Sequence, residues 1–229
     1  MALSTTRHGG VSHGPFASCN LGTSTDDSPE AITANRRRLE QCLPASPCWL
    51  KQVHGVNVIH LDDWQPGVSA DAAWTDRPGQ VAIILTADCL PILLAADDGR
   101  LVAAIHAGWR GLAAGIIERT ISQLPVAGAE IHAWIGPGIS QPHYEVDQSV
   151  RSVFARRSSG HEQAFRRNAR DRYQADLKQI ARLELQAAGL TRVMDSGLCT
   201  AGDPERFYSH RRDQARTGRQ ATLVWLAGG

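Results

Sequence analysis

Three polar groups stand where apolar runs stop. They are His54 in Gln52-Val53-His54-Gly55, Cys89 in Thr86-Ala87-Asp88-Cys89-Leu90-Pro91, and His106 in Ala103-Ala104-Ile105-His106-Ala107-Gly108-Trp109-Arg110-Gly111. Two imidazoles and one thiolate make a catalytic zinc donor set, with the fourth position left for water or substrate. A loop that only reverses direction uses Gly, Asn, Asp or Pro. A turn that delivers His106, Trp109 and Arg110 together calls for a chemical reason. The separations match no zinc-finger spacing, so the pattern alone leaves alternatives open. A cysteine in an apolar run is most often core, and His54 also suits a hairpin turn. Pro91 breaks a strand ladder, so a bulge or strand edge is expected there, turning Cys89 out of the sheet.

Other groups carry weaker chemistry. Arg211-Arg212-Asp213, after Phe207-Tyr208-Ser209-His210, can grip phosphate bidentately or form a solvated charge cluster. Arg7, ahead of Gly9-Gly10, can hold an anion beside loop amides or simply be exposed. Glu145 is a candidate acid or a surface residue. There is no G-x-x-x-x-G-K-[ST], G-x-G-x-x-G or H-E-x-x-H. The paired H-x-E and P-C-x-x-C of zinc deaminases is missing too. The five cysteines are an odd number, with no C-x-x-C pair. They read as thiols of a reducing compartment.

The elements that must position these groups follow from periodicity and punctuation. Residues 2–6 read as a strand, and 7–28 as a long, polar, glycine-rich binding loop. Ser28-Pro29-Glu30 opens a helix that runs to about Cys42. Cys48–Val53 and Val56–Leu61 read as short strands around His54-Gly55, and 62–80 as mostly turns. Val81–Ala87 and Leu90–Ala96 are continuous apolar runs, as in strands covered on both faces. Asp97-Asp98-Gly99-Arg100 signals a hairpin. A helix over 112–123, a strand at Ile131–Ile135 and a helix from Asp147 to Phe154 come next. Residues 156–172 read as an exposed, arginine-rich connection. Asp176-Leu177-Lys178-Gln179 starts a helix that Gly189 stops, and Thr191–Met194 and Ala221–Leu226 read as strands. The sum is an α+β (mixed α/β) class, with residues 1–229 as one domain.

Composition narrows the partners. The 229 residues are 42% hydrophobic and 21% charged, enough for a sizeable core. A net charge of +1 calls for neither nucleic acid nor an anionic membrane. The apolar runs are too short to span a bilayer, and the N-terminus has no signal core. A cytoplasmic protein, acting as a monomer on small molecules, is the expectation.

Taken together, Q-V-H-G-V-N-V, T-A-D-C-L-P-I-L, H-A-G-W-R-G, G-P-G-I-S, Y-E-V and F-Y-S-H-R-R-D with T-G-R resemble the YfiH-like family. This is the laccase-domain group of multifunctional purine nucleoside phosphorylases, once described as polyphenol oxidases. T-R-H-G-G-V-S and N-L-G fit as well, and the match runs nearly end to end in the same order. Members usually carry a further segment before T-R-H-G-G-V-S. Here only a few residues precede it, which bears on an N-terminal strand and on none of the metal ligands. The resemblance implies a mixed α/β, YfiH-like fold and zinc held by His54, Cys89 and His106. It also implies phosphorolysis of adenosine, inosine, guanosine and methylthioadenosine, with deamination of adenosine to inosine. Zinc lowers the pKa of a bound water to about 7, which suits attack on a purine ring. Phosphorolysis needs cationic groups for phosphate, for which Arg7, Arg110 and Arg211 are the candidates, and a proton carrier, Asp88 or Glu145.

Three rivals stand beside this expectation. A copper oxidase would use the same trio, but the nine histidines include no His-x-His pair and only Met1 and Met194 offer a thioether. Bound copper would then be adventitious. A metal-free hydrolase, possible in peptidoglycan precursor editing, would use Cys89 as nucleophile and His106 as base. A non-catalytic purine-binding protein would bind nucleoside without turning it over.

Overall fold

Strand side chains point alternately to opposite faces, and the central strands of this chain are apolar on both. A computed structural model describes residues 1–228. Its first half runs β1 (Ala2–Ser4), α1 (Pro29–Glu40), β2 (Pro47–Cys48), β3 (Val58–His60), β4 (Ala72–Thr75), β5 (Val81–Thr86), β6 (Leu90–Ala96) and β7 (Val102–Ala107). Then come α2 (Trp109–Ala114), α3 (Ile116–Ile121), β8 (Ile131–Ile135), β9 (Glu145–Val146), α4 (Gln148–Arg157), β10 (Phe165–Arg167), β11 (Tyr173–Ala175), α5 (Leu177–Ala187), β12 (Arg192–Asp195) and β13 (Gln220–Trp225).

Two sheets stack. One has the order β12-β8-β6-β7-β4-β3, the other β1-β13-β5-β2. On β7, Ala103, Ile105 and Ala107 pack with Leu112, Ile116 and Phe154 on the helical side. Val102 and Ala104 face the other way, towards Ala82, Ile84 and Val224 of the second sheet. The outer face of that sheet, Val81, Ile83 and Leu223, meets Leu39 of α1 and Cys19 and Leu21 of the N-terminal loop. The layers are therefore α1 with the loop, two sheets, and helices α2–α5. The two apolar runs are strands covered on both sides, as their composition required. Fully buried side chains such as Leu94, Leu101 and Ile105 each stabilise the fold by about 1.5–3 kcal/mol.

Several local expectations hold. Ser28 Oγ accepts the Ala31 N–H at 3.2 Å and starts α1. Asp176 Oδ1 accepts the Gln179 N–H at 2.9 Å and starts α5. Gly99, at φ 71°, turns the β6–β7 hairpin. No helix among the described residues is long and apolar enough to cross a membrane.

Four expectations are corrected. Residues 48–61 form no hairpin: β2 pairs with β5 and β3 with β4, both in parallel, so the chain between them crosses from one sheet to the other. Gln52 occupies the sheet edge instead, its side-chain amide exchanging two 2.8 Å hydrogen bonds with the backbone of Leu85. Residues 62–80 contain a buried strand, β4, whose short alanine-rich run hides it. The helix expected over 112–123 starts at Trp109 and breaks at Gly115, whose φ of 89° is left-handed. Residues 156–172 are not all connection, since β10 pairs with β11 in a small sheet, β10-β11-β9. There Phe165 packs on the core while Arg166 and Arg167 stay exposed.

Candidate metal centre

The candidate ligands reach one end of the stacked sheets by three routes. His106 lies on the same face of β7 as Val102 and Ala104, so its buried ring lies on the side between the sheets. Cys89 sits in the turn from β5 to β6. Its neighbour Asp88 has φ 92°, a left-handed value rare outside glycine. That backbone, not the proline, turns Cys89 off the strand path; Pro91 is inside β6, paired opposite His106. His54, also left-handed at φ 59°, lies on the crossing between β2 and β3.

One carboxylate that sequence reasoning missed organises both histidines. Asp71 is fully buried. Its Oδ1 accepts the His54 N–H at 2.9 Å and lies 2.8 Å from His106 Nδ1. Its Oδ2 accepts the N–H groups of Gly55 at 2.8 Å and Val53 at 3.2 Å. Its carbonyl accepts the His106 N–H at 2.7 Å. An imidazole that donates Nδ1–H to a carboxylate presents Nε2 as the ligand atom. Burial opposes the Asp71 charge, but His106 and these N–H groups outweigh it and hold the carboxyl below its usual range. The only sequence signal was a lone acid within Ser69-Ala70-Asp71-Ala72-Ala73.

The trio converges. Cys89 Sγ lies 3.9 Å from His54 Nε2, and one ligand atom from each of His54, Cys89 and His106 lies within 4.8 Å of the others. A tetrahedral zinc ion separates nitrogen and sulfur ligands by about 3.5 Å, so the donor set fits a zinc-sized ion after a small contraction. Burial opposes the Cys89 thiolate, yet the charge and hydrogen bonds of His106 and His54 hold the thiol down at about 6. Burial likewise opposes charge on His106, but the Cys89 thiolate and Asp71 hold it up at about 9. Gly108 explains why the turn after His106 is glycine: a Cβ there would lie 2.8 Å from Cys89 Sγ and 3.2 Å from His54 Cδ2. The backbone must pass that close to let the three side chains meet.

The remaining candidates are placed unevenly. Asp88 is buried; Oδ1 accepts from Thr200 Oγ1 and Oδ2 from the Arg211 N–H, each at 2.7 Å. Arg211 donates to the Glu145 carbonyl at 2.6 Å and lies 4.9 Å from the centre of the Tyr144 ring. Arg110 lies over Trp109. The Glu145 carboxylate is engaged by Asn168, Arg170 and Arg172. Arg7 donates to the carbonyls of Ala17 and Pro204 and, with Arg212 and Arg216, lines a cavity of about 500 Å³. Tyr144, under Arg211, and Arg219, one residue before the Gln220–Thr86 pair, were also missed.

Comparison with known proteins agrees with this architecture. Residues 1–227 match the family described as multi-copper polyphenol oxidoreductase laccase. The chain is 48% identical to a purine nucleoside phosphorylase of Pseudomonas aeruginosa, over 98% of this chain and 93% of that one. It is 42% identical to the purine nucleoside phosphorylase YfiH of Escherichia coli, over 98% and 93% of the two chains. A crystal structure of a Neisseria meningitidis protein superposes with a TM-score of 0.94 at 40% identity, covering 99% of this chain and 94% of that one. The structure of YlmD from Geobacillus stearothermophilus gives 0.90 at 33% identity, covering 99% and 92%. With the match running end to end and the fold the same, the chain belongs to the YfiH-like, laccase-domain family.

Proposed function

We propose that the chain is a zinc-dependent purine nucleoside phosphorylase, with residues 1–229 working as one domain. The observation that carries this reading is the His54–Cys89–His106 cluster, locked by Asp71, in a chain so similar to proteins named for that activity. In phosphorolysis a phosphate oxygen bonds to the anomeric carbon of the ribose. The bond from that carbon to purine N9 breaks, its electron pair stays on the base, and the base takes up a proton. The products are free base and ribose 1-phosphate. Arg211 and Arg110 make no ion pair among the described residues, so their charges are available to phosphate; Arg7 is engaged by the carbonyls of Ala17 and Pro204. Asp88, beside Cys89, is the carboxylate assigned in this reading to pass the proton. Glu145 acts through the carbonyl that accepts from Arg211.

When bound, a zinc ion supplies a Lewis acid and acidifies water at neutral pH, which suits deamination of adenosine to inosine as a second activity. Methylthioadenosine belongs to the same substrate class. Copper in this donor set would be adventitious. The protein acts as a cytoplasmic monomer, without nucleic acid or membrane.

Metal analysis of purified protein, with chromatography of adenosine incubated with and without phosphate, tests this. Adenine and ribose 1-phosphate are expected only with phosphate, and inosine without it. Neither product from metal-replete protein would end the proposal. A hydrolase with Cys89 as nucleophile is the second reading, favoured by the depressed Cys89 thiol. It requires activity in metal-free protein that alkylation of Cys89 abolishes.

A further inference from the structure

We infer that Arg219 and the Tyr144 hydroxyl, together with Arg211, form the subsite that takes inorganic phosphate beside the candidate metal centre, a proposal that rests on the phosphorylase reading. Register places Arg219 there. Gln220 pairs with Thr86 at the end of β5. One step further brings Arg219 level with Ala87, against the turn that carries Asp88 and Cys89.

The arginine is clamped. Its N–H donates to Asn20 Oδ1 at 2.9 Å, and its Nη1 donates to the carbonyls of Thr217 at 3.0 Å and Gly218 at 2.9 Å. Its stem passes over Gly22, where a Cβ would lie 2.5 Å from Arg219 Cγ. Its Nε and Nη2 make no hydrogen bond and it joins no ion pair among the described residues. Burial works against its charge, and the negative charges of Cys89 and Asp88 are the ones that support it. A half-buried guanidinium with two idle donors is prepared for an anion.

Tyr144 points to the same ligand. It is only 9% exposed, and a tyrosine buried that far normally satisfies its hydroxyl. Tyr208 does so, donating to the Phe16 carbonyl at 2.6 Å. The Tyr144 hydroxyl has no partner among the described residues, and its oxygen is not fully buried, so it faces accessible space. Burial and the Cys89 charge raise its pKa, so it stays protonated and serves as a donor. Arg211 over its ring commits Nη1 to the Glu145 carbonyl and leaves its other nitrogens free. Two guanidinium groups and a phenol thus stand around the turn that carries Asp88 and Cys89. Thr200 and the Arg211 N–H occupy both oxygens of Asp88, so its carboxylate does not take up the idle donors. Phosphate oxygens can accept from the donors that Arg219, Arg211 and Tyr144 leave idle.

Two measurements test the subsite. In steady-state phosphorolysis of adenosine, Arg219→Met should raise the KM for phosphate about tenfold or more, as loss of a charge-assisted hydrogen bond implies. Tyr144→Phe should raise it about threefold to tenfold. The KM for adenosine should stay within about twofold, and Arg219→Lys, which keeps the charge and stem, should recover part of the loss. In metal-free protein, phosphate should slow iodoacetamide labelling of Cys89, mapped by peptide mass, relative to chloride at equal ionic strength. That protection should vanish in Arg219→Met and survive in Arg216→Ala. Equal protection in wild type and Arg219→Met, or an unchanged phosphate KM, overturns the inference. If protection follows the prediction but no phosphorolysis occurs, the anion subsite stands and the phosphorylase reading falls.

Discussion

At the residue scale, Asp71 governs the site without touching the metal position. Its oxygens accept four N–H groups, one from the His106 ring and three from the backbone around His54. Asp71→Asn would point an amide N–H₂ at donors and remove the charge that fixes the His106 tautomer. Metal affinity should fall about 10–100-fold, measured by competition with a chromophoric chelator. Gly108→Ala should act on the same assay by pushing a methyl into Cys89 Sγ. Unchanged affinity in both would mean the trio is not the metal site. The pKa directions give a third expectation. Between about 6 and 9 the metal-free pair is thiolate and imidazolium, and binding needs a neutral imidazole. Binding at pH 7.5 should release about one proton, read by calorimetry in buffers of different ionisation enthalpy, and affinity should rise with pH through that window. The trio was legible because each member stands at the end of an apolar run. Asp71 was not, because a carboxylate among alanines has no spacing rule; its role comes from three segments folding around it.

At the element scale, periodicity served where strands are covered on both faces and failed where pairing is remote. β5, β6 and β7 could be read from their apolar runs, and α1 and α5 from their caps. β4 could not, since four residues including two alanines carry little pattern. The pairing of β2 and β3 could not either, although strands were expected at Cys48–Val53 and Val56–Leu61, because their parallel partners are distant and a histidine-glycine pair imitates a hairpin. The broken helix is a different case. Gly115 has the one backbone conformation a helix cannot continue through, and it falls inside the helix expected over 112–123. Gly115→Ala should destabilise the protein by about 1–2 kcal/mol, since φ is 89° and a Cβ would meet the Arg157 guanidinium at 3.0 Å. Urea unfolding would show this as a lower midpoint at unchanged slope. Arg157 also grips Glu184 with two hydrogen bonds of 2.7 and 2.8 Å, so its displacement would loosen α4 from α5.

At the scale of the whole molecule, the candidate centre joins the two sheets. His54 lies on the chain that crosses from β2 in one sheet to β3 in the other. Cys89 lies on the turn from β5 in the first to β6 in the second, and His106 ends β7. An ion held by all three ties both sheets at one end, and the unfolded chain has no preformed site for it. Metal binding is therefore linked to folding. Free metal at about 100 times Kd should add about 2.7 kcal/mol to stability. For a chain of this length that is a shift in Tm of about 5–10 °C. Chelation should lower Tm by that amount in the wild type. His54→Ala should begin near the chelated value and respond to neither metal nor chelator. A wild-type Tm indifferent to chelation, in protein shown to lose its metal, would mean the ion binds the folded and unfolded chains about equally and is not linked to folding.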